Sequence, residues 1–178
     1  MLILASRSPQ RRAILQQLGV RFEVVVPEVE ETEEGDPRGL VIENALRKAR
    51  AVHGDLVLGV DTTVVVDGRS YGKPGDREQA TRMIRMLSGR EHEVWSGIAL
   101  RRDGDETTAA RCTRVRFRTV DDPLLRWYLD SGEWQGRAGG YAIQGRGAAL
   151  VESVDGDFWN VVGLPVPELV KLAPDLLR

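Results

Sequence analysis

The sequence predicts an α/β fold with a mixed and partly long-stranded sheet. In the first third of the chain, short apolar runs alternate with segments whose apolar residues recur at helical spacing. Farther along, two long segments of alternating character flank Asp103-Gly104-Asp105, which is typical of an antiparallel hairpin. The 178 residues, 42% of them hydrophobic, suffice for a single domain over residues 1–178, or two small lobes that share a core without a separable linker.

The first half of the chain alternates strands with helices. The predicted strands are residues 1–5, 22–26 and 56–66, and the predicted helices are residues 9–19 and 39–53. The first helix starts after Ser8, a preferred N-cap residue, has Pro9 in its first turn and stops at Gly19. Residues 32–38 are acidic and contain glycine and proline, which predicts a loop.

The second half combines helices with the long antiparallel strands. Helices are predicted over residues 77–88, 124–131 and 166–172, and strands over residues 91–101 and 107–118. In the second of these strands, arginines alternate with apolar residues between Arg114 and Arg118, which predicts one solvated face. A glycine-rich segment, residues 132–147, precedes an apolar stretch at residues 148–154.

The first candidate site lies where the first strand becomes the first helix. There the chain reads ASRSPQRR over residues 5–12. A helix N-terminus presents unpaired N–H groups and the positive end of the helix dipole, so added arginines suit a strongly anionic ligand such as a phosphate. The alternative is that Ser8 only caps the helix and the arginines are solvated.

Two charged residues on later segments are candidates for chemistry. Asp61 lies in a run of β-branched apolar residues, where an ionised carboxylate is costly to bury unless it is paired or binds metal. Carboxylates at strand ends that face a cleft commonly bind metal or activate water. The alternative for Asp61 is a carboxylate that accepts backbone N–H groups at a bulge. Lys73 lies between Gly72 and Pro74, on a rigid turn from which it can reach phosphate oxygens or simply be solvated.

Two further segments are less specific. Residues 27–34 are acidic and are functional only if one carboxylate turns inward to a cation. Residues 136–145 are rich in glycine, which lets a backbone approach a ligand closely, and Gln144 could read the hydrogen-bonding edge of a base or lie outside a tight hairpin. His53 and His92 lack the spacing of zinc ligands, and neither a dinucleotide-binding nor a P-loop motif occurs.

Composition excludes several functional classes. A net charge of −2 argues against general nucleic-acid binding. The one cysteine, Cys112, falls at the start of a predicted strand, is not expected to be catalytic and fits a reducing cytosol. The chain shows no signal peptide and no apolar run of membrane-spanning length, so it is expected to be soluble, cytoplasmic and free of membrane partners.

Four segments, in order, resemble the Maf family of nucleoside triphosphate pyrophosphatases. They are LASRSPQRRAIL, GVDTTVVVDG, GKPGDREQATRMIRMLSGREHEVWSG and GRAGGYAIQGRG, with VVGLP near the end. The resemblance implies a fold of the inosine triphosphatase type, with two lobes on an elongated mixed sheet around a central cleft. It also implies hydrolysis of a nucleotide between its α and β phosphates with a divalent cation (Mg²⁺, Mn²⁺ or Co²⁺), and it leaves a homodimer open.

The resemblance assigns roles to residues that would bind the triphosphate. Ser6 and Arg11 match positions that hold the triphosphate at the helix N-terminus, and Lys48 and Lys73 match lysines that complete the positive cradle. Arg11 and Lys73 are both expected to face solvent in the cleft. Asp61 matches the general base. Glu31 matches an acidic residue of the same cleft, and the pair Glu31 and Asp61 are the expected metal ligands.

Three positions are tied to the choice of base. Thr62, together with the Ile-Gln-Gly run that contains Gln144, matches the branch that acts on dTTP and UTP. Many members of that branch have arginine after the proline of the first motif, whereas Gln10 stands there in this chain. Gln10 therefore leaves the preferred base, including modified nucleotides, open.

Two rival functions remain at this stage. One is a non-catalytic nucleotide-binding regulator of septum formation in dividing cells, which the history of the family suggests. The other is a general phosphatase that releases orthophosphate. The presence of Asp61, Lys73 and Arg11 favours the pyrophosphatase, because a protein that only binds nucleotide does not need a general base.

Overall fold

The chain folds around one mixed seven-stranded sheet. The computed structural model describes residues 1–177. The strands are Leu2–Ala5 (β1), Phe22–Val25 (β2), Leu56–Val66 (β3), Arg69–Tyr71 (β4), Glu91–Arg102 (β5), Asp105–Phe117 (β6) and Val151–Asp155 (β7). Their order is β2-β1-β3-β5-β6-β7, with β4 paired to β3 alone. This architecture confirms the predicted α/β class with a mixed sheet.

Six α-helices accompany the sheet in this part of the chain. They are Pro9–Gln17 (α1), Pro37–Arg50 (α2), Arg77–Leu87 (α3), Asp122–Asp130 (α4), Phe158–Val162 (α5) and Val166–Leu172 (α6). Helix α2 begins before the predicted residue 39 because the Asp36 carboxylate accepts a hydrogen bond from the Gly39 N–H at 3.0 Å and so caps the first turn. None of the helices among residues 1–177 is long and apolar enough to span a membrane.

Strand β3 creates the gap in which the site forms. On one side it pairs along its length with β5, antiparallel, so that Asp61 lies opposite Gly97. On the other side the parallel pairing with β1 ends at Gly59, and the antiparallel pairing with β4 begins only at Val64. Within the described chain, residues 60–63 therefore have no strand neighbour on this side, and ligands commonly bind where strands diverge in this way.

Helix α2 lies directly on the sheet because two glycines leave room for it. A Cβ atom at Gly59 would lie 2.0 Å from the Ala45 carbonyl oxygen, and one at Gly97 would lie 2.3 Å from that of Val41. Both distances are below van der Waals contact, so no side chain larger than hydrogen fits at either position. This close approach brings Asn44 and Lys48 of α2 over Asp61.

The apolar core has separate centres toward the two ends of the sheet. One contains Ile84, Phe117 and Tyr128, and packs α3 and α4 on the sheet. Another contains Leu4, Leu15, Leu58, Ile98 and Leu169, and packs α1 and α6. A third, smaller cluster with Ala45, Ala49 and Val57 packs α2 on the same sheet. Two lobes without a separable linker stay our interpretation of the domain organisation.

Besides the start of α2, other details differ from the sequence-based expectation. Strand β4 and helix α5 were not predicted, since each has at most five residues and too few positions to show a period. The alternative of a tight hairpin with Gln144 outside it is wrong, because short 3-10 helices at Ala138–Gly140 and Arg146–Leu150 interrupt the glycine-rich segment. Strand β7 consequently starts at Val151, later than the apolar stretch suggested.

Candidate active site

A cleft of about 450 Å³ opens beside the unpaired stretch of β3. All sequence-predicted site residues except Ser6 line it, namely Gln10, Arg11, Glu31, Lys48, Asp61, Thr62, Lys73 and Gln144. Ser6 is buried just behind Arg11, whose Nη1 donates to the Ser6 Oγ at 2.9 Å. The structure thus brings these residues to one place, and their individual roles remain predictions.

Lys48 joins two carboxylates at the base of the cleft. Its Nζ lies 2.7 Å from Asp61 Oδ1 and 2.9 Å from Glu31 Oε1, and it donates to the Val60 carbonyl at 3.3 Å. The Lys48 and Asp61 side chains are almost fully buried, whereas the Glu31 side chain is 49% exposed. The apolar run around Asp61 therefore tolerates its charge because Lys48 is paired with it. The alternative of a carboxylate bound only to backbone N–H groups is not what the structure contains.

Glu31 and Asp61 provide carboxylate oxygens, which suit a divalent cation whose remaining ligands come from the substrate. Among residues 1–177 there is no group of three or more acidic, histidine or cysteine residues able to hold a metal by themselves. Mg²⁺ usually takes only one or two protein carboxylates and completes its coordination with phosphate oxygens and water. Two oxygen donors that converge on one ammonium group fit that pattern.

Arg11 is buried, and the expectation that it faces solvent is wrong. It is only 7% exposed because three neighbouring groups enclose its guanidinium. Its Nε donates to the Gly163 carbonyl at 2.9 Å, and its Nη2 donates to the Thr62 Oγ1 at 3.1 Å, in addition to the bond with Ser6. Burial lowers the pKa of Arg11, while the negative charges of Asp61 and Glu31 oppose that shift. The guanidinium is therefore fixed in place at the cleft wall before any ligand arrives.

Thr62 and Gln10 make hydrogen bonds within the protein. The Thr62 hydroxyl lies 2.8 Å from the Ser96 hydroxyl, which is completely buried and donates to the Asn160 carbonyl at 3.4 Å. The Gln10 Oε1 accepts a hydrogen bond from the Ser8 hydroxyl at 2.6 Å. Both side chains still line the cleft, so each can influence a ligand directly or through the neighbour it holds.

Two tyrosines hold the glycine-rich segment against the cleft. The Tyr128 hydroxyl donates to the Gly140 carbonyl at 3.0 Å and accepts from the Ala142 N–H at 3.1 Å. The Tyr141 hydroxyl lies 2.7 Å from Nε2 of His92, and burial lowers the pKa of His92 to about 4, so the imidazole is neutral at pH 7. Gln144 follows this anchored stretch and is exposed at the cleft.

Comparison with known proteins identifies the family. A family model described as Maf-like protein matches residues 1–176. The chain belongs to the Maf family. The dTTP/UTP pyrophosphatase of Symbiobacterium thermophilum is 49% identical over 177 residues, which cover 96% of this chain and 91% of that protein. The dTTP/UTP pyrophosphatase of Thermococcus onnurineus is 45% identical over 176 residues, which cover 97% and 96%.

Among solved structures, the Ham1 protein of Staphylococcus aureus is 16% identical to this Maf-family chain. The match has a TM-score of 0.46 and covers 65% of this chain and 71% of that one. A score this low does not establish a shared fold, so the family assignment rests on the sequence matches.

Sequence reasoning missed three residues of this Maf-family site. Asn44 donates to Asp61, and Ser96 contacts the Thr62 hydroxyl. Asn44 lies in a helix and Ser96 in a strand, and a single polar residue in such an element does not by itself indicate a functional site. Arg137 lines the cleft, and burial lowers its pKa. Its Nε and Nη1 are buried without a hydrogen-bond partner among residues 1–177. Its place in the glycine-rich segment could have drawn attention to it.

Cys112 has no features of a reactive thiol. It lies inside β6 rather than at its start, half-buried and opposite Trp95. Burial, together with the nearby charge of Glu93, raises the pKa of the Cys112 thiol to about 11. Because the thiolate is the nucleophilic form, this environment keeps Cys112 unreactive at neutral pH.

Lys73 gives the first testable prediction. It is exposed, and its pKa is lowered by partial burial and by the positive charges of Arg11 and Lys48. A hydrogen bond from a charged donor contributes about 1.5–3 kcal/mol, so Lys73→Ala is expected to raise KM for a nucleoside triphosphate roughly 10-fold or more. The melting temperature should not change, since nothing in the core depends on this side chain.

The pH dependence of the same binding step follows from the lowered pKa. Lys73 loses its charge at a lower pH than an ordinary lysine, so kcat/KM should fall on the alkaline side, and Lys73→Arg should delay that fall. Steady-state kinetics across pH measure both effects, with Lys171→Ala, an exposed lysine on α6, as the control. A KM for Lys73→Ala equal to that of the wild type would remove Lys73 from the phosphate site.

Proposed function

We propose that this Maf-family chain is a nucleoside triphosphate pyrophosphatase, which hydrolyses a nucleotide between its α and β phosphates. One observation carries the proposal. A buried ion pair, Asp61–Lys48, lines the same cleft as two further cations, the fixed Arg11 and the exposed Lys73. The names of the relatives from Symbiobacterium and Thermococcus support the same reaction. A role in clearing unwanted nucleotides from the cytoplasmic pool follows as an expectation.

The reaction needs a water made nucleophilic next to a substrate made less negative. Asp61 accepts a proton from the attacking water, and the new bond forms between that water oxygen and the α-phosphorus. The bond from the α-phosphorus to the bridging oxygen breaks, and pyrophosphate leaves with the negative charge. Arg11 and Lys73 stabilise that developing charge, and Lys48 orients the Asp61 carboxylate.

A divalent cation completes this scheme. Glu31 and Asp61 would hold it, together with phosphate oxygens of the substrate, and Mg²⁺, Mn²⁺ or Co²⁺ suits these donors. When bound, the cation neutralises phosphate charge and polarises the phosphoryl oxygens. Because Lys48 contacts both carboxylates, its ammonium would share them with a bound cation.

The preferred substrates are dTTP and UTP. In the orientation that directs its N–H group to O4 and its oxygen to N3–H, the Gln144 amide matches thymine and uracil but not the reversed pattern of cytosine. Gln10 departs from the branch pattern and is held by Ser8, so an amide, rather than a guanidinium, faces this part of the cleft. We therefore extend the proposal to modified pyrimidine nucleotides that keep the same hydrogen-bonding edge.

A nucleotide panel tests this assignment. Pyrophosphate release from UTP and dTTP is expected to exceed that from CTP, ATP and GTP in kcat/KM by about 100-fold, because a mismatched base leaves polar groups unpaired. The substitution Gln144→Glu should lower kcat/KM for UTP and narrow this preference while the fold is retained. Gln135→Glu makes the same charge change on the same segment outside the cleft and is the control. Comparable kcat/KM for UTP and GTP would overturn the assignment of the base.

A non-catalytic nucleotide-binding regulator of cell division is the second candidate. It would bind the same triphosphate without needing Asp61 opposite Lys48, so the ion pair favours the enzyme. The two are separated by turnover, since a regulator binds nucleotide but releases no pyrophosphate. A homodimer stays a prediction, and sedimentation equilibrium of the purified chain measures it.

A further inference from the structure

Asn44 is a buried side chain at the site to which neither the reaction scheme nor the family resemblance assigns a role. It lies on α2 one helical turn before Lys48, and it is 2% exposed. Because residues four apart share one face of a helix, both side chains reach down to Asp61. Lys48 contacts Oδ1 of that carboxylate, and the Asn44 Nδ2 donates to Oδ2 at 3.1 Å.

The same amide holds a second part of the chain. The Asn44 Oδ1 accepts from the Thr32 N–H at 2.8 Å, and Nδ2 donates to the Thr32 carbonyl at 2.9 Å. Residues 26–36 around Thr32 form neither helix nor strand, and this segment carries Glu31. The two hydrogen bonds from Asn44 fix the backbone of this segment at Thr32, the residue next to Glu31, which contacts Lys48.

The orientation of the amide is determined by its partners. Both hydrogens of Nδ2 are used, one on Asp61 and one on the Thr32 carbonyl, and Oδ1 is the acceptor for an N–H group. Rotation of the amide by half a turn would place its oxygen against two other oxygens. An aspartate of the same shape could make only the bond with the Thr32 N–H, so this position requires asparagine.

We propose that Asn44 is a positioning residue, which sets the distance between Asp61 and the Glu31 segment and so holds the two carboxylates ready for substrate. The catalytic part of this inference rests on the proposed function. Lys48 alone cannot do this, because its single ammonium contacts the exposed Glu31 side chain but not the backbone that carries it. Among residues 1–177, only Asn44 has side-chain hydrogen bonds both to the Asp61 carboxylate and to the backbone of the segment.

The test compares Asn44→Ser, which removes the amide, with Asn44→Asp, which keeps its shape. Misplacement of a reacting group by about 1 Å can cost on the order of 100-fold in rate, so both variants should lower kcat for UTP by about 10- to 100-fold. KM should change by less than about 3-fold, because Arg11 and Lys73 do not contact Asn44. The folded fraction of each variant is checked by circular dichroism, because a loss of folded protein alone would also lower the apparent kcat and leave KM unchanged.

A second measurement reports on the segment without any substrate. A glutamate-specific protease can cut residues 28–34, which contain five exposed glutamates: Glu28, Glu30, Glu31, Glu33 and Glu34. Both Asn44 variants should be cut there about 10-fold faster than the wild type, since release of a tethered segment raises its open population. Asn160→Asp is the matched control, because Asn160 is equally buried but binds the Val94 carbonyl and Thr113 instead.

The outcomes separate this inference from the function on which it rests. Slower turnover with little change in KM, together with faster cleavage in the Asn44 variants but not in Asn160→Asp, would support it. A kcat or a cleavage rate equal to that of the wild type in both Asn44 variants would overturn it. Absence of pyrophosphate release from the wild type would overturn the proposed function instead, and the cleavage rates would still report whether Asn44 tethers the segment.

Discussion

Replacing Asp61 with asparagine is expected to lower kcat for pyrophosphate release by about 100-fold or more while the chain still folds. The asparagine has the same shape and keeps one oxygen that accepts from Lys48 or from Asn44, at the cost of the other hydrogen bond, and it cannot take a proton from water at neutral pH. Lys48 keeps its ion pair with Glu31, so no buried cation is left without a partner. Turnover and circular dichroism measured on the same preparation check both parts of this expectation.

The control for this substitution is Asp67→Asn. Asp67 lies just after β3, forms an exposed ion pair with Arg90, and is not part of the cleft. Its backbone is left-handed, with φ at 50°, a conformation that asparagine also adopts readily. Wild-type turnover in Asp67→Asn, together with loss of turnover in Asp61→Asn, would assign the effect to the position. A folded Asp61→Asn protein with full activity would mean that Asp61 is not the general base.

Replacing Arg11 with alanine is expected to reduce both activity and stability, unlike the change at Lys73. The substitution leaves the Ser6 hydroxyl, the Thr62 hydroxyl and the Gly163 carbonyl without their common donor. Each unsatisfied buried group costs about 1–3 kcal/mol, so the free energy of unfolding should fall by at least that amount. Loss of a fixed donor that faces developing charge should lower kcat by about 100- to 1,000-fold.

Arg11→Lys distinguishes geometry from charge at this position. Lysine retains the positive charge but cannot donate in three fixed directions, so we expect it to recover little of either loss. Arg7→Ala, an exposed arginine of the same motif outside the cleft, should leave both quantities unchanged. Thermal unfolding and steady-state kinetics measure the two losses separately. An Arg11→Ala protein as stable as the wild type would contradict the hydrogen-bond network around the guanidinium.

The sequence predicts the elements well wherever a pattern is long enough to show a period. The eleven residues of β3 and the long hairpin of β5 and β6 show clear patterns, and their predicted positions agree with the structure. The start of α2 was missed because the Asp36 cap precedes a proline, a residue that also marks a loop. The short β4 depends on its pairing with β3, a contact that no local pattern records.

The site was predicted as a set of residue types but not as an arrangement. The resemblance selects Asp61 and Lys48, yet their contact exists only because Gly59 and Gly97 allow α2 to approach the sheet. The burial of Arg11 could not be foreseen from an arginine-rich motif, since two of its three partners, Thr62 and Gly163, lie in distant parts of the chain. Asn44 gave no signal for the same reason: its partners at positions 32 and 61 lie on separate segments.

Hydrolysis of UTP in water enriched in heavy oxygen tests the proposed reaction most directly. Mass spectrometry of the products shows both which bond breaks and which phosphorus the water attacks. Attack at the α-phosphorus predicts UMP and pyrophosphate in equal amounts, with one heavy oxygen in UMP and none in pyrophosphate. UDP and orthophosphate as the products, or the heavy oxygen in pyrophosphate, would contradict it.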